Sequence, residues 1–374
     1  MSYDGDFFGN GLRPWVKWPG GKSGELPLIR EFSPKKPIQR FIEPFVGGGS
    51  VLLDVNHDVP AAANDICPEL IHLYQGGASC DQNLKKELEL LASAWFEIGN
   101  TRNSVRSYAE QFIKKSMAND QIARELLAIS LPMLGSGNKG LAAEFTRRFV
   151  KDLPSKLNRV EKLQVKHSRD LPLEEMTDNI HGCLHSSFYM SIRNRYNSAR
   201  TLGIYSDTRA SDFFFLREFS YASMFRFNAK GGFNVPYGGI SYNKKTFQSK
   251  VDVLYSEKMH SRLSNTQWHC SDFSAFFESV EPEREDFIFV DPPYDSEFSD
   301  YDNREFLTGD QARLASTLQK LDANIMIVIG DTPLIRGLYP KETWTIIDNP
   351  KVYSWNIKGR NDRNKNHLLI TNYL

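Results

Sequence analysis

Apolar residues recur at two different spacings along this chain, and the spacing divides it into regions. Phe287-Ile288-Phe289-Val290 and Asn324-Ile325-Met326-Ile327-Val328-Ile329 are short apolar runs rich in β-branched and aromatic residues, the pattern of strands buried on both faces. Between them, Leu314, Leu318 and Leu321 put one apolar face on a helix predicted over Thr308–Leu321. A β–α–β succession of this kind implies a parallel sheet, so the fold class is α/β. Nearer the N-terminus, Arg40–Phe45 reads as a short strand running into Gly47-Gly48-Gly49, with a helix predicted from Ser50, whose hydroxyl can cap it. Ala61–Asp65 is a weaker strand ending on a carboxylate. The stretch 81–180 carries helical spacing instead, at Leu84, Leu88, Leu91, Trp95 and Ile98, and again at Ile122, Leu126 and Ile129. It reads as a mostly helical insertion with these residues in its core, interrupted by a glycine-rich break at Gly135–Gly140. The expected organisation is a first catalytic part over 1–75, a helical insertion over 76–185, an aromatic and Arg-rich region over 186–265, and a second catalytic part over 266–374.

Composition narrows the class. A chain of 374 residues with 40% hydrophobic and 25% charged residues is an ordinary globular one, long enough for a large domain and a smaller one. No apolar stretch reaches bilayer-spanning length. The start, Met1-Ser2-Tyr3-Asp4-Gly5-Asp6, is acidic and unlike a signal peptide. The four cysteines (Cys67, Cys80, Cys183, Cys270) lie far apart without a CxxC pair, so reduced thiols in a cytoplasmic protein are expected, with no membrane and no metal. The formal net charge is zero, yet residues 186–262 hold 12 Lys/Arg against 5 Asp/Glu, and residues 351–374 hold 5 against one. Local excess of this kind suits phosphate contact, although a solvated basic face would have the same composition.

Three short segments carry candidate chemistry. The strand at 287–290 stops on Asp291-Pro292-Pro293-Tyr294. Two prolines cannot continue a ladder, so the chain must turn at the strand's carboxyl end, where open α/β sheets bind ligands. The turn offers a carboxylate (Asp291), a backbone carbonyl (Pro292) and a flat ring (Tyr294), a set that suits a planar base with an exocyclic amino group. Glu43-Pro44-Phe45-Val46-Gly47-Gly48-Gly49-Ser50 lets a ligand approach the backbone between strand and helix, and lacks the GxGxxG spacing of dinucleotide sites. Asp65 ends the next strand, where a carboxylate can hold ribose hydroxyls or cap the helix that follows. Trp18-Pro19-Gly20-Gly21-Lys22 could cradle an anion, without the spacing of a P-loop.

In their order along the chain these segments resemble the Dam-like D12 class, the alpha group of DNA adenine N6-methyltransferases. The resemblance runs through Val16–Lys22, Phe41–Ser50, Asn64-Asp65-Ile66, Phe188-Tyr189 with Arg193 and Asn197, Phe225–Asn228, Gly232–Gly238, Asp272-Phe273, Asp291–Tyr294 and Ile370–Tyr373, so it covers 13–75 and 186–374. It implies a Rossmann-like S-adenosylmethionine-dependent methyltransferase sheet, with a helical insertion and a smaller DNA target-recognition domain. By this resemblance Trp18, Lys22, Phe45, Gly47 and Gly49 meet the methionine and sulfonium end of S-adenosylmethionine. Asp65 holds its ribose, Asp272 and Phe273 its adenine, and Asp291, Pro292 and Tyr294 are catalytic. The implied DNA contacts are Lys17, Tyr221, Arg226, Asn228, Lys230 and Pro236, with Tyr221 wedging between bases and Arg226 reading a guanine. The implied partners are double-stranded DNA and a cognate restriction endonuclease, in a bacterial or phage setting. Methylation of structured RNA, and a non-catalytic DNA-binding relative, are the alternative readings. The insertion is longer than in compact members of the class. Ala222 and Gly239 stand where GATC readers carry a polar and a basic residue, which leaves the recognition sequence open.

Overall fold

The computed structural model describes residues 7–130, 139–204, 206–293, 306–352 and 364–374. The chain forms two compact units, one running up to Cys80 and resuming at Tyr255, the other spanning Asp81–Leu254. Helix α1 (Leu26–Phe32), strands β1 (Arg40–Glu43) and β2 (Ala61–Asn64) and helix α2 (Pro68–Ser79) open the first unit. The second consists of α3 (Gln82–Asn100), α4 (Arg102–Ile113), α5 (Asn119–Ser130), α6 (Lys139–His167), α7 (Leu173–Thr201), α8 (Asp207–Phe219) and α9 (Gln248–Leu254). The first unit then closes with α10 (Glu257–Ser264), β3 (Thr266–His269), α11 (Phe273–Val280), β4 (Asp286–Val290), α12 (Thr308–Leu318), β5 (Asn324–Gly330), α13 (Pro333–Leu338), β6 (Thr345–Val352) and β7 (Asn364–Thr371).

The strands form one sheet in the order β3-β2-β1-β4-β5-β7-β6. β1 pairs in parallel with β2 on one side (Ile42 beside Ala62) and with β4 on the other (Ile42 beside Ile288). Only β7 is reversed, between β5 and β6. The α/β expectation therefore holds, and the sheet is consistent with the S-adenosylmethionine-dependent methyltransferase sheet that the resemblance implies. The expected strands at 287–290 and 324–329 are β4 and β5, whose interior residues are buried as their unbroken apolar runs require. Ile42, Ile288, Val290, Ile325 and Ile327 share a core with Leu314 and Leu318 of α12. Each such side chain contributes roughly 1.5–3 kcal/mol when taken from water. β2 is Ala-Ala-Ala-Asn, with no β propensity to speak of, and is fully buried. Its strand conformation comes from pairing on both edges.

Local signals mislead at two places. The helix expected from Ser50 does not form; residues 50–54 make successive turns. Tertiary partners take over their polar groups. The Asp54 carbonyl accepts the Gly9 and Asn10 N–H groups, its carboxylate is held by Arg30, and Val55 bridges to Phe8. The second concerns the boundary at 185/186, which falls inside α7, a continuous helix from Leu173 to Thr201. The helices of 81–180 and the Arg-rich stretch up to Leu254 belong to one compact unit. Leu84, Leu88, Leu91, Trp95, Ile98, Ile122 and Leu126 are buried as the spacing requires, while Ile129 is half-buried. Of the glycine-rich break, residues 135–138 lie outside the described residues and Gly140 is already in α6.

The basic excess of 186–262 is also partly internal. Arg209, Arg217 and Arg262 are buried, and Arg195 pairs with buried Asp212 at 2.5 Å. Arg262 donates to the Asn56, Val59 and Asn265 carbonyls, tying a turn shut rather than facing solvent. No helix among the described residues is long and apolar enough to cross a membrane.

Candidate active site

In a parallel sheet all carboxyl ends lie on one edge, and here the chain order makes one position on that edge special. From β1 the chain moves outward to β2 and β3, then returns to the opposite side of β1 as β4. The two connections therefore diverge at the β1/β4 boundary, the switch point where open sheets leave a crevice for ligands. Glu43 ends β1 and Asp291 directly follows β4 at that boundary.

Asp291 does not stand alone. Lys22 Nζ lies 2.6 Å from both of its carboxylate oxygens and also donates to the Gly20 carbonyl at 2.7 Å. The lysine is 2% exposed and the aspartate 20%. A buried ammonium needs such a partner, since an uncompensated charge in the interior is costly. Glu43 is buried beside this pair and its carboxylate accepts the Leu52 N–H. Burial, and then the negative charge of Asp291, push the Glu43 carboxyl well above the usual range. The pair and the acid thus present one positive charge, one negative charge and one group driven toward neutrality.

The turn after β1 is shaped by contacts that exclude a side chain. Gly47 has φ +46°, and a Cβ there would come within 2.7 Å of the Trp18 ring. At Gly49, φ +68°, it would meet the Tyr74 hydroxyl at 2.7 Å. That hydroxyl donates to the Gly47 carbonyl at 3.0 Å, and the Tyr74 ring stacks on Trp268 of β3. Asp65, just past β2, accepts the Gly47 N–H at 3.0 Å and the Cys67 N–H at 2.9 Å. One carboxylate therefore joins the turns after β1 and β2, and it also steadies the start of α2, where Cys67 is the cap.

At the end of β3, Asp272 caps α11 through the Ser274 N–H and forms a two-pronged pair with Arg313 at 2.6 and 2.9 Å. The Arg313 hydrogen bonds hold the Asp272 carboxyl below its ordinary value. The same guanidinium lies 4.2 Å from the centre of the Phe273 ring, which also contacts Phe45 and Phe306. Phe45 links this cluster to the glycine turn. Pro292 is buried, and the Pro293 carbonyl accepts from Gln311 of α12 at 2.9 Å. Tyr294 lies outside the described residues. Lys17 is half-buried next to Trp18.

The other candidates lie in the second unit, gathered on one hairpin-like loop. Antiparallel bridges Ser220–Tyr237 and Phe227–Phe233 hold it. Tyr221, Arg226, Asn228, Lys230 and Pro236 are all exposed on it. The Asn228 carboxamide oxygen accepts the Lys230 and Gly232 N–H groups, so Asn228 shapes the tip. Arg226 reaches Asn234 at 3.4 Å, and the Pro236 carbonyl accepts the Tyr221 N–H at 2.9 Å. Behind Tyr221, Ala222 and Ser223 both have left-handed backbone, φ +52° and +55°.

Gln311, Arg313 and Phe306 were not singled out from the sequence, and Glu43 entered only as the first residue of the glycine-turn segment. Glu43 carried a signal, as a lone acid closing an apolar strand. The other three follow the Asp291–Tyr294 turn by more than ten residues, with nothing local to mark them. Among the described residues no group of His, Cys, Asp and Glu is placed to hold a metal ion.

The family described as D12 class N6 adenine-specific DNA methyltransferase matches residues 18–131 and 132–353. The chain is 34% identical over 366 residues to the type II methyltransferase M.CviBI of Paramecium bursaria Chlorella virus NC1A, covering 97% of this chain and 100% of that one. It is 26% identical to the DNA adenine methylase of Vibrio cholerae over 97% of each chain. It is 24% identical to the DNA N-6-adenine-methyltransferase of Escherichia phage P1, over 87% of this chain and 31% of that one. The chain belongs to the D12 class of N6 adenine-specific DNA methyltransferases, and its reaction is methylation of adenine in DNA.

Proposed function

We propose that the chain transfers the methyl group of S-adenosylmethionine to N6 of an adenine turned out of duplex DNA, at a specific sequence. The observation that carries this reading is the Lys22–Asp291 pair at the tip of β4, beside the glycine turn that ends β1. The residues fit the cofactor. The Gly47–Gly49 turn leaves backbone with no Cβ against Trp18, a cradle for the methionine end, together with Lys22 and Phe45. Asp65, just past β2, offers a carboxylate for ribose hydroxyls, and Phe273 offers a ring for the cofactor's adenine, with Asp272 alongside. When bound, the cofactor supplies a methyl group on a positively charged sulfur.

The amino nitrogen of adenine shares its lone pair with the ring and is a weak nucleophile. Asp291 and the Pro292 carbonyl accept hydrogen bonds from its two N–H groups, which favours a pyramidal nitrogen with its lone pair aimed outward. The Lys22 ammonium bonds both Asp291 oxygens and so fixes the orientation of that acceptor. Most of the acceleration is then positioning. The surplus N6 proton leaves to solvent afterwards. Extruding the base costs a few kcal/mol, and stacking on Tyr294 returns roughly 1–3 kcal/mol. Tyr221 fills the gap in the duplex, Arg226 and Lys17 read bases, and Asn228, Lys230 and Pro236 follow the backbone. The relatives named type II methyltransferases support a cognate restriction endonuclease as partner, in the cytoplasm where both would meet DNA. Labelled S-adenosylmethionine with duplex DNA should give N6-methyladenine, lost in Asp291→Asn. Label entering only cytosine, RNA or protein would overturn the reading.

A further inference from the structure

Gln311 is fully buried in the first turn of α12, four residues from Leu307, whose carbonyl accepts its N–H. Its side-chain NH2 donates to the Pro293 carbonyl at 2.9 Å, while its Oε1 is buried with no hydrogen-bond partner among the described residues. A buried acceptor left unmade destabilises the fold. Residues i+3 and i+4 share a helix face, so an apolar side chain of similar size would lie on the face of core residues Leu314 and Ala315 without that cost, and the half-buried Pro293 could turn its carbonyl to water. Stability therefore does not explain a glutamine here; the contact with Pro293 does. Proline rings lock φ at both 292 and 293, which leaves their ψ angles as the soft coordinates of the turn. Lys22 anchors the Asp291 end, and Gln311 anchors the Pro293 end.

We propose that Gln311 is a positioning residue for methyl transfer: by holding the Pro293 carbonyl it sets the plane of the turn, so that Asp291 and the Pro292 carbonyl meet the target amino group together. This rests on the reading that those two groups accept the amino protons. The test compares Gln311→Met, Gln311→Glu and Asp291→Asn in the full chain by single-turnover methylation, with cofactor and DNA dissociation constants and Tm measured in parallel. The methionine variant is expected to lose tenfold to a hundredfold in transfer rate, with both dissociation constants within twofold and Tm unchanged or higher. The glutamate variant is expected to regain rate as pH falls, because a neutral carboxyl can donate to Pro293 and a carboxylate cannot. A wild-type rate in Gln311→Met overturns the proposal. So does a glutamate variant with no recovery at low pH, which also decides the matter if Gln311→Met fails to fold. If Asp291→Asn keeps its rate, the underlying reading fails instead, and the two failures are told apart.

Discussion

Two side chains define the centre by what their neighbours must supply. Lys22 is almost fully buried, so its charge requires the Asp291 carboxylate. Removing one partner of a buried pair costs about 3–5 kcal/mol. Asp291→Ala is expected near the lower end of that range, because Glu43, relieved of a neighbouring negative charge, can ionise in its place. Denaturant unfolding of Asp291→Ala against the double variant Lys22→Met/Asp291→Ala checks this: the double variant should recover part of the loss. Gly47 is constrained by space and by φ together. Gly47→Ala should cost about 1–3 kcal/mol of strain and weaken cofactor binding, because the Trp18 ring must move. Calorimetric titration with the cofactor would show it, and unchanged affinity would detach that ring from the cradle.

At the scale of elements, helix α7 and the hairpin-like loop behave differently. His185 is buried in α7 with its ring against Trp95 at 4.4 Å, and His181 is buried one turn before it. Burial, and then the neighbouring His181, lower the His185 pKa to about 3 from an ordinary 6.5. The sign follows: above about 6.5 the ring is neutral folded or unfolded, while below it only the unfolded chain takes up the proton. Stability should therefore fall by about 1.4 kcal/mol per pH unit as pH drops from 6.5 toward 3. Urea unfolding at pH 7 and 5.5 checks it, and His185→Phe should shrink the difference, leaving the part due to His181, whose pKa burial also lowers. The loop, in contrast, carries exposed groups on a frame held by two bridges. Arg226→Ala is expected to cost about 1–3 kcal/mol at one base pair, seen as relaxed sequence preference in methylation profiling. An equal loss on all sequences would make Arg226 a phosphate contact.

For the whole molecule, zero net charge conceals the electrostatics that matter. DNA affinity should decline linearly in log Kd against log salt as phosphate contacts release counterions, and a flat dependence would argue against backbone contact. Much of the architecture was legible along the chain. The buried runs at 287–290 and 324–329 and the helical spacing at 84–98 each record burial on a fixed face, a property of consecutive residues. The order of the glycine turn, Asp65, Asp272 and the Asp291 turn also identified the class; local chemistry marks the glycine turn, Asp65 and the Asp291 turn as strand ends, while Asp272 entered through the resemblance alone. Other features depended on partners far away in sequence. Ser50 starts no helix because Arg30 and the chain at Gly9–Asn10 take over Asp54. Several arginines of the basic stretch are interior. Lys22, nearly 270 residues from Asp291, is its counter-charge, Arg313 is the partner of Asp272, and Gln311 holds Pro293. Sequence alone determined the two apolar strands, the helical stretch and the chemical class, since periodicity and turn chemistry are short-range. Which charges meet, and which side chains hold the Asp291–Pro293 turn, only the tertiary structure decided, because pairing across a sheet edge leaves no local trace.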